Sequence, residues 1–380
     1  MRVLQQQYST IGGWDGALRG LAENNVQLAI VFGSVEHFSA PGFAEALADG
    51  LPGASVVGCT TAGEITRDGV AGKTCVITGV TFARTQVKVA EAVAVTSDDS
   101  FSAGAKLGEQ LAGPGLAAVI VLGKGVAING SALIDGIVSK IGAEVPLSGG
   151  LAGDDGAFQR TLILSPSGVY DDRVVAVGLY GEALGLGYGS FGGWEPFGPT
   201  RKITRAEGNI LYELDGEPAL NIYKRYLGEY AKDLPASGLL FPFEMLDKDH
   251  DAVGLIRTIL AVNEAEGSLV LAGALVEDGY LRLMHASNDA LVNGAENAAS
   301  AALDALGGDK ASLALLVSCV GRKLVMGDQI DDEIDTVAEL LGDQAVLAGF
   351  YSYGEISPLR GSTDCKLHNQ TMTVTVLTER

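Results

Sequence analysis

A short phrase occurs twice, once near each end of the chain: Gly58-Cys59-Thr60-Thr61-Ala62-Gly63-Glu64-Ile65 and Gly349-Phe350-Tyr351-Ser352-Tyr353-Gly354-Glu355-Ile356 share the pattern G-x-x-[ST]-x-G-E-I. In both places an apolar run ends in a tight glycine turn that carries one carboxylate. Upstream of the first copy, Leu28 to Ser34 reads as a buried strand, a helical pattern led by Pro41 follows, and Ala54 to Gly58 reads as a second buried strand. Leu313 to Cys319, a helix from about Asp331 to Leu341 and the strand Ala345 to Phe350 repeat that order before the second copy. A weaker third version runs from Leu116 to Leu122 through a helix at Ser131 to Ile141 and ends in Gly149-Gly150-Leu151-Ala152-Gly153-Asp154. A crossover helix between two buried strands makes the strands parallel, so the chain is expected to be a mixed α/β protein built from repeated β-loop-α-β units and mixed sheets.

Composition narrows the function. At 380 residues the prior is two domains of ordinary size, each able to bury a core. The net charge of −21 argues against nucleic acid or an anionic membrane as partner, because both need a basic face. The N-terminal sequence lacks a signal-peptide pattern and no apolar run has the length of a spanning helix, so a cytoplasmic protein is expected. Cys59, Cys75, Cys319 and Cys365 are scattered without a C-x-x-C pair and read as reduced, mostly packing residues.

Between the repeats, Lys73 to Ala83 and Val87 to Val95 read as an antiparallel pair at a sheet edge, Thr161 to Ser165 and Arg173 to Tyr180 read as strands, and Gly185 to Gly193 as strand or loop. The Gly- and Pro-rich stretch from Gly193 to Thr200 marks a boundary. Beyond it come a hairpin around Glu207-Gly208, a helix opened by Pro218, a strand from Phe241 to Leu246, and three strands at Leu255 to Val262, Leu269 to Leu275 and Tyr280 to Ala286. Ser287 offers a cap to a helix whose face Leu291, Ala295, Ala298, Ala302 and Leu306 packs on a sheet. Leu367 to Leu377 alternates like one half-exposed antiparallel strand.

These motifs resemble the FIST family, a bacterial and archaeal sensory module in two parts. The VFGS run and VVGCTTAGEI carry the likeness in the N-terminal part; GEPALNIYKRYLG, CVGRKLVMG, GFYSYGEISP and LHNQTMTVTVL carry it in the C-terminal part. The resemblance implies a FIST N-terminal domain over residues 1–199, a FIST C-terminal domain over 200–380, small-ligand sensing and signal transduction, with amino acids proposed as ligands of many members. One subgroup, the NosP-like proteins, binds haem b, senses nitric oxide and works with a partner histidine kinase or cyclic-di-GMP enzyme. No kinase, chemoreceptor or GGDEF segment is recognisable here, which is the free-standing arrangement of that subgroup. A NosP-like haem sensor is therefore the first expectation, with a homodimer left open.

A haem sensor needs an axial ligand, and His37, His250, His285 and His368 are the histidines on offer. His285 shares a strand face with Leu281 and Leu283, and His250 lies among Asp247, Asp249 and Asp251, so these two are the candidate iron ligands. The alternative is a haem-free sensor of an amino acid or similar metabolite. There Glu64 and Glu355 would hold an amino group if their turns share a cleft, and Arg322, Arg257 or Arg282 would fork a ligand carboxylate. No P-loop, dinucleotide fingerprint, serine elbow or H-E-x-x-H accompanies these residues, so a non-catalytic protein is expected.

Overall fold

The computed structural model describes residues 1–276 and 278–380. Its first 81 residues hold β1 (Arg2–Tyr8), α1 (Trp14–Ala22), β2 (Leu28–Gly33), α2 (Val35–Phe38), α3 (Phe43–Gly50), β3 (Ser55–Thr60), the small hairpin β4 (Glu64–Thr66) and β5 (Gly69–Ala71), and β6 (Cys75–Thr81). The same order returns as β7 (Gln86–Val93), α4 (Ser100–Leu111), β8 (Leu116–Gly123), α5 (Gly130–Ile141), β9 (Leu147–Leu151), the hairpin β10 (Ile163–Ser165) and β11 (Gly168–Tyr170), and β12 (Arg173–Tyr180).

The third repeat opens with β13 (Leu184–Phe191) and is then interrupted. The inserted part contains β14 (Glu195–Pro196), β15 (Arg201–Glu207), β16 (Ile210–Leu214), β17 (Glu217–Pro218), α6 (Ala219–Leu227), β18 (Phe243–Leu246), β19 (Ala252–Arg257), β20 (Ile259–Asn263), β21 (Ser268–Leu271) and β22 (Tyr280–His285). These strands make one nine-stranded sheet around a core of their own, with Tyr223, Leu214, Leu269 and Leu281 at its centre. The repeat then resumes with α7 (Asn288–Leu306), β23 (Leu313–Cys319), α8 (Val320–Met326), α9 (Asp331–Leu341), β24 (Val346–Ser352), the hairpin β25 (Gly354–Pro358) and β26 (Cys365–His368), and β27 (Met372–Glu379).

Each repeat builds a six-stranded sheet, but none keeps its own hairpin. The sheet orders are β1-β6-β2-β3-β10-β11, β7-β12-β8-β9-β25-β26 and β13-β27-β23-β24-β4-β5. The hairpin of the first repeat thus extends the third sheet, that of the second extends the first, and that of the third extends the second. The exchange is cyclic. At its hub three equivalent backbone bonds link the repeats: Ala62 N–H to Tyr351 O at 2.8 Å, Gly153 N–H to Thr60 O at 2.9 Å, and Tyr353 N–H to Leu151 O at 3.1 Å.

The strand composition follows from this two-sided packing. Leu28, Ile30 and Phe32 of β2 point into a central core with Ala118, Ile120 and Leu122 of β8 and Leu313, Leu315 and Val317 of β23. Their alternate neighbours lie under helices: Ala29 and Val31 under α1 and α3, Val119 and Val121 under α4 and α5, Ala314 and Leu316 under α7 and α9. Strands covered on both faces read as unbroken apolar runs, and β2–β3, β8–β9 and β23–β24 are parallel pairs as the crossover helices require. Gly58, Gly149 and Gly349 occupy one equivalent position, where an added Cβ would stand 2.1, 2.0 and 2.1 Å from the carbonyl oxygens of Val31, Val121 and Leu316.

The mixed α/β architecture and the face of α7 agree with the sequence: Leu291, Ala295, Ala298, Ala302 and Leu306 are all buried, and the Ser287 hydroxyl accepts from Ala290 N–H at the helix start. Three local expectations are corrected. Lys73–Ala83 and Val87–Val95 are not a hairpin pair; β6 lies between β1 and β2, whereas β7 pairs β12 in another sheet. The loop between them marks the change of repeat, and its N–H groups at Ala83, Arg84 and Thr85 donate to the Glu379 carboxylate. Leu255 to Val262 is two strands broken at Thr258. Leu367 to Leu377 is likewise two strands, β26 and β27, in different sheets, and its threonines are buried. Alternation there reflects two buried faces of different polarity; Thr373, for example, donates to Val317 O. Among the described residues no helix is long and apolar enough to cross a membrane.

Candidate functional site

The hub bonds set three junctions, each between the loop after one repeat's first central strand and the segment by which the next repeat's hairpin crosses over. At the first, Ser34, Val35 and Glu36 face the crossing segment Asp154–Arg160 across a polar cleft of about 240 Å³, with Thr61, Glu64 and Lys73 on its other walls. At the second, Gly125 to Gly130 and Tyr353 form one side of a cavity of about 880 Å³ that the inserted sheet closes with Asn209, Leu239, Ile259, Leu260 and Gly273. The third is filled by protein. There the Arg322 guanidinium donates to both Gly192 O and Leu291 O and pairs with Glu333, both side chains of the pair fully buried, and the Lys323 ammonium donates to Ala62 O at 2.6 Å.

The large cavity has the size and apolar lining of a small-molecule site. Phe158, Leu260 and Leu324 line it although 37%, 42% and 52% exposed, so the apolar wall reaches solvent at the mouth. The Phe158 ring stacks on the Tyr353 ring at 4.0 Å and 13°. Amide groups are supplied by Asn129, whose side chain caps α5 by accepting from Ala132 N–H, and by Asn209, which donates to Leu271 O. Asp98 is the one carboxylate among its described lining residues, and no Lys or Arg is among them.

Tyr353 also fixes the wall between the two cavities. Its hydroxyl donates to Asp154 and takes the N–H groups of Asp154, Gly156 and Phe158 at 3.1–3.3 Å, while the Asp154 carboxylate accepts from the N–H groups of Phe158, Gln159 and Arg160 at 2.7–2.8 Å. Burial first, then the hydrogen bond to Asp154, raises the Tyr353 pKa, so the phenol keeps its proton.

The residues expected to bind a ligand are dispersed. The Glu64 carboxylate borders the polar cleft, but both its oxygens are engaged: Thr61 hydroxyl at 2.5 Å, Thr74 hydroxyl at 2.6 Å and Thr74 N–H at 3.2 Å. Glu355 repeats that pattern with Ser352 and Thr371, is fully buried, and lines neither cavity. The two turns share no cleft. They are equivalent clamps, each tying its hairpin to the start of the following strand. Arg282 pairs with Glu244, and Arg257 donates to the carbonyls of Ala274, Ile256 and Leu367 behind the cavity wall, burial holding its pKa down at about 10.

The Glu355 clamp makes a pH prediction. Burial pushes its carboxyl up to about 8 against hydrogen bonds from Ser352 and Thr371 that favour the anion. A carboxyl with a raised folded-state pKa binds more protons folded than unfolded between its ordinary value and about 8, so its contribution to stability is full below that window and is lost as pH rises through it. Glu355→Gln should therefore flatten the fall in melting temperature between pH 5 and 8, by calorimetry, relative to the parent chain.

The histidines stand apart from both cavities: none of the four lines the large cavity or the polar cleft. His285 packs edge-on against Phe197, and His250 lies exposed, stacked on Tyr280 at 3.9 Å. His368 is buried, its Nε2 at 3.0 Å from Ser357 O, and burial takes its pKa down to about 4; the His37 Nδ1 lies 3.0 Å from the Ser34 hydroxyl.

With this geometry in hand, comparison with known proteins assigns the family. The FIST N domain matches residues 27–217 and the FIST C domain residues 219–358. The chain belongs to the FIST family. FIST domains are small-ligand sensory domains in signal transduction. Similar proteins include an uncharacterized protein of Methanocaldococcus jannaschii, 39% identical over 100 residues, which are 25% of this chain and 19% of that one. Uncharacterized proteins of Mycobacterium bovis and Mycobacterium tuberculosis are 31% identical over 181 residues, 44% of this chain and 45% of theirs. The FIST chain thus spans under half the length of these curated relatives. The crystal structure of cyanuic acid hydrolase from A. caulinodans aligns with 100% of this chain and 99% of its own at 11% identity and a TM-score of 0.38.

The residues that make the large cavity were not singled out from sequence. Tyr353 lies inside the repeated phrase and Phe158 four positions after the third acidic turn, so both stand next to a visible signal. Leu260, Leu324 and Asn209 carry none; only the fold brings them together.

Proposed function

We propose that this FIST protein is a haem-free, non-catalytic sensor whose ligand occupies the cavity of about 880 Å³ between the second and third repeats and the inserted sheet. The observation that carries this reading is the exposed apolar mouth formed by Phe158, Leu260 and Leu324 over a lining almost without charge. Such a wall favours an uncharged, largely apolar molecule with a ring to stack beside Phe158 and a polar group for Asn129 or Asn209. The signal follows from where the cavity lies. A ligand touching both the repeats and the insert stabilises one placement of the insert over others, and a partner protein such as a histidine kinase or cyclic-di-GMP enzyme would read that change.

Fluorescence titration with the uncharged probe N-phenyl-1-naphthylamine tests this. Saturable one-to-one binding is expected, weakened at least tenfold in Leu260→Arg/Leu324→Arg, which places two charges at the mouth, with the melting temperature held within a few degrees because both side chains are exposed. Equal affinity in parent and variant would remove the cavity as the site. In the same preparations, supplied with haem precursor, no Soret band that depends on His285 or His250 is expected; a band lost in His285→Ala would restore the haem reading.

A second reading is favoured by the polar cleft, whose walls carry Glu36 and Asp155 together with Lys73 and Arg160. Charges of both signs at that size suit a zwitterion, and an amino acid is the corresponding ligand.

A further inference from the structure

The two cavities are copies of one site. The strand register places Val31, Val121 and Leu316 opposite Gly58, Gly149 and Gly349, so Ser34, Lys124 and Cys319 are equivalent, as are the loops that follow them. The polar cleft lies beyond Ser34, the large cavity beyond Lys124, and the third copy is plugged by Arg322. The two open copies also share a wall. Along the crossing segment of the second repeat, Asp155, Ala157 and Gln159 line the polar cleft while Gly156 and Phe158 line the large cavity. One stretch of irregular backbone, with Asp155 and Phe158 both at positive φ, is the partition. It is held by the Tyr353 hydroxyl and the Asp154 carboxylate rather than by strand pairing.

We infer that the polar cleft is a second ligand site, for a small ammonium compound, and that the partition Asp154–Arg160 couples its occupancy to the affinity of the large cavity. The ligand class follows from the charge of the lining. Four acidic residues, Glu36, Glu64, Asp154 and Asp155, line it with Lys73 and Arg160, and Lys323 reaches Asp155 from its edge, so acids still outnumber bases. Glu64 and Asp154 are already engaged by hydroxyl and amide donors, which leaves the exposed carboxylates of Glu36 and Asp155 to receive a cation. An ammonium group drawn to Asp155 competes with Lys323, whose nitrogen lies 3.6 Å from that carboxylate, and so acts on the segment that carries Phe158 into the other cavity. The coupling is reciprocal, each ligand changing the other's affinity by one factor. This inference rests on the reading of the large cavity as a ligand site.

The test is calorimetric titration of the full chain with ethanolamine and β-alanine, and titration of N-phenyl-1-naphthylamine with and without saturating amine. Binding of an amine, a change of at least threefold in the naphthylamine Kd, and loss of that change in Glu36→Gln, which leaves the partition and its Lys323 pair intact, with the naphthylamine Kd itself retained are expected. β-Alanine binding tighter than ethanolamine would show that Lys73 and Arg160 hold an anionic end. An amine that binds without altering the naphthylamine Kd overturns the coupling alone; no amine binding overturns the second site. Failure of naphthylamine to bind the parent chain overturns the reading of the large cavity, and the coupling with it.

Discussion

Arg322→Ala is expected to lower the stability of the folded chain by about 3–5 kcal/mol, the cost of leaving a buried partner charge uncompensated. Arg322 and Glu333 have no exposed side-chain surface, and the same carboxylate also accepts from Ser318 and Tyr351. The guanidinium meanwhile satisfies Gly192 O, where the insert begins, and Leu291 O on α7, so its loss orphans two carbonyls as well. Chemical denaturation of the single variant should show the loss in the midpoint. Arg322→Met combined with Glu333→Gln should recover part of it, because the uncompensated charge is then gone. A single variant as stable as the parent would mean that the third junction is not held shut by this pair.

Gly349→Ala is expected to have the second-largest effect. A methyl group at that position would stand 2.1 Å from Leu316 O, so the parallel pair β23–β24 must part or shift. Overpacking of this kind costs about 1–3 kcal/mol, and more where the obstacle is backbone that cannot rotate away. Gly349 is also two residues from Tyr351, whose carbonyl accepts the hub bond from Ala62. Loss of stability should therefore come with faster hydrogen exchange at Ala62, on a different repeat. Exchange faster only within β23 and β24 would show that the hub does not transmit the strain.

The same glycine explains what could be read from the sequence. The phrase G-x-x-[ST]-x-G-E-I was visible because three physical demands fall within a few residues: a strand pair too close for a Cβ, a turn, and a carboxylate clamped by hydroxyls. Those demands are local, and so were the strands and helices beside them. Cyclic exchange of the hairpins is not local. Nothing in Glu64–Thr66 says that it pairs with Phe350 and Gly349 of another repeat, so whether the two turns share a cleft is not legible in the sequence; they are equivalent points around a hub. The repeated glutamates drew attention as ligand groups because a carboxylate in a glycine turn looks available; its partners Thr74 and Thr371 lie well downstream in sequence. The role of Arg322 is equally non-local, since the plug depends on Gly192 and Leu291. The cavity residues Leu260 and Leu324 are single exposed apolar side chains, a feature too common in sequence to stand out.

One ligand is proposed to touch the repeats and the insert together. Hydrogen exchange read by mass spectrometry, with and without saturating N-phenyl-1-naphthylamine, tests it most directly. Joint protection of residues 125–130, 208–209 and 259–274 is predicted, with 55–60 in the first sheet unchanged. Protection confined to the insert, or found at segments that do not line the cavity, would contradict it.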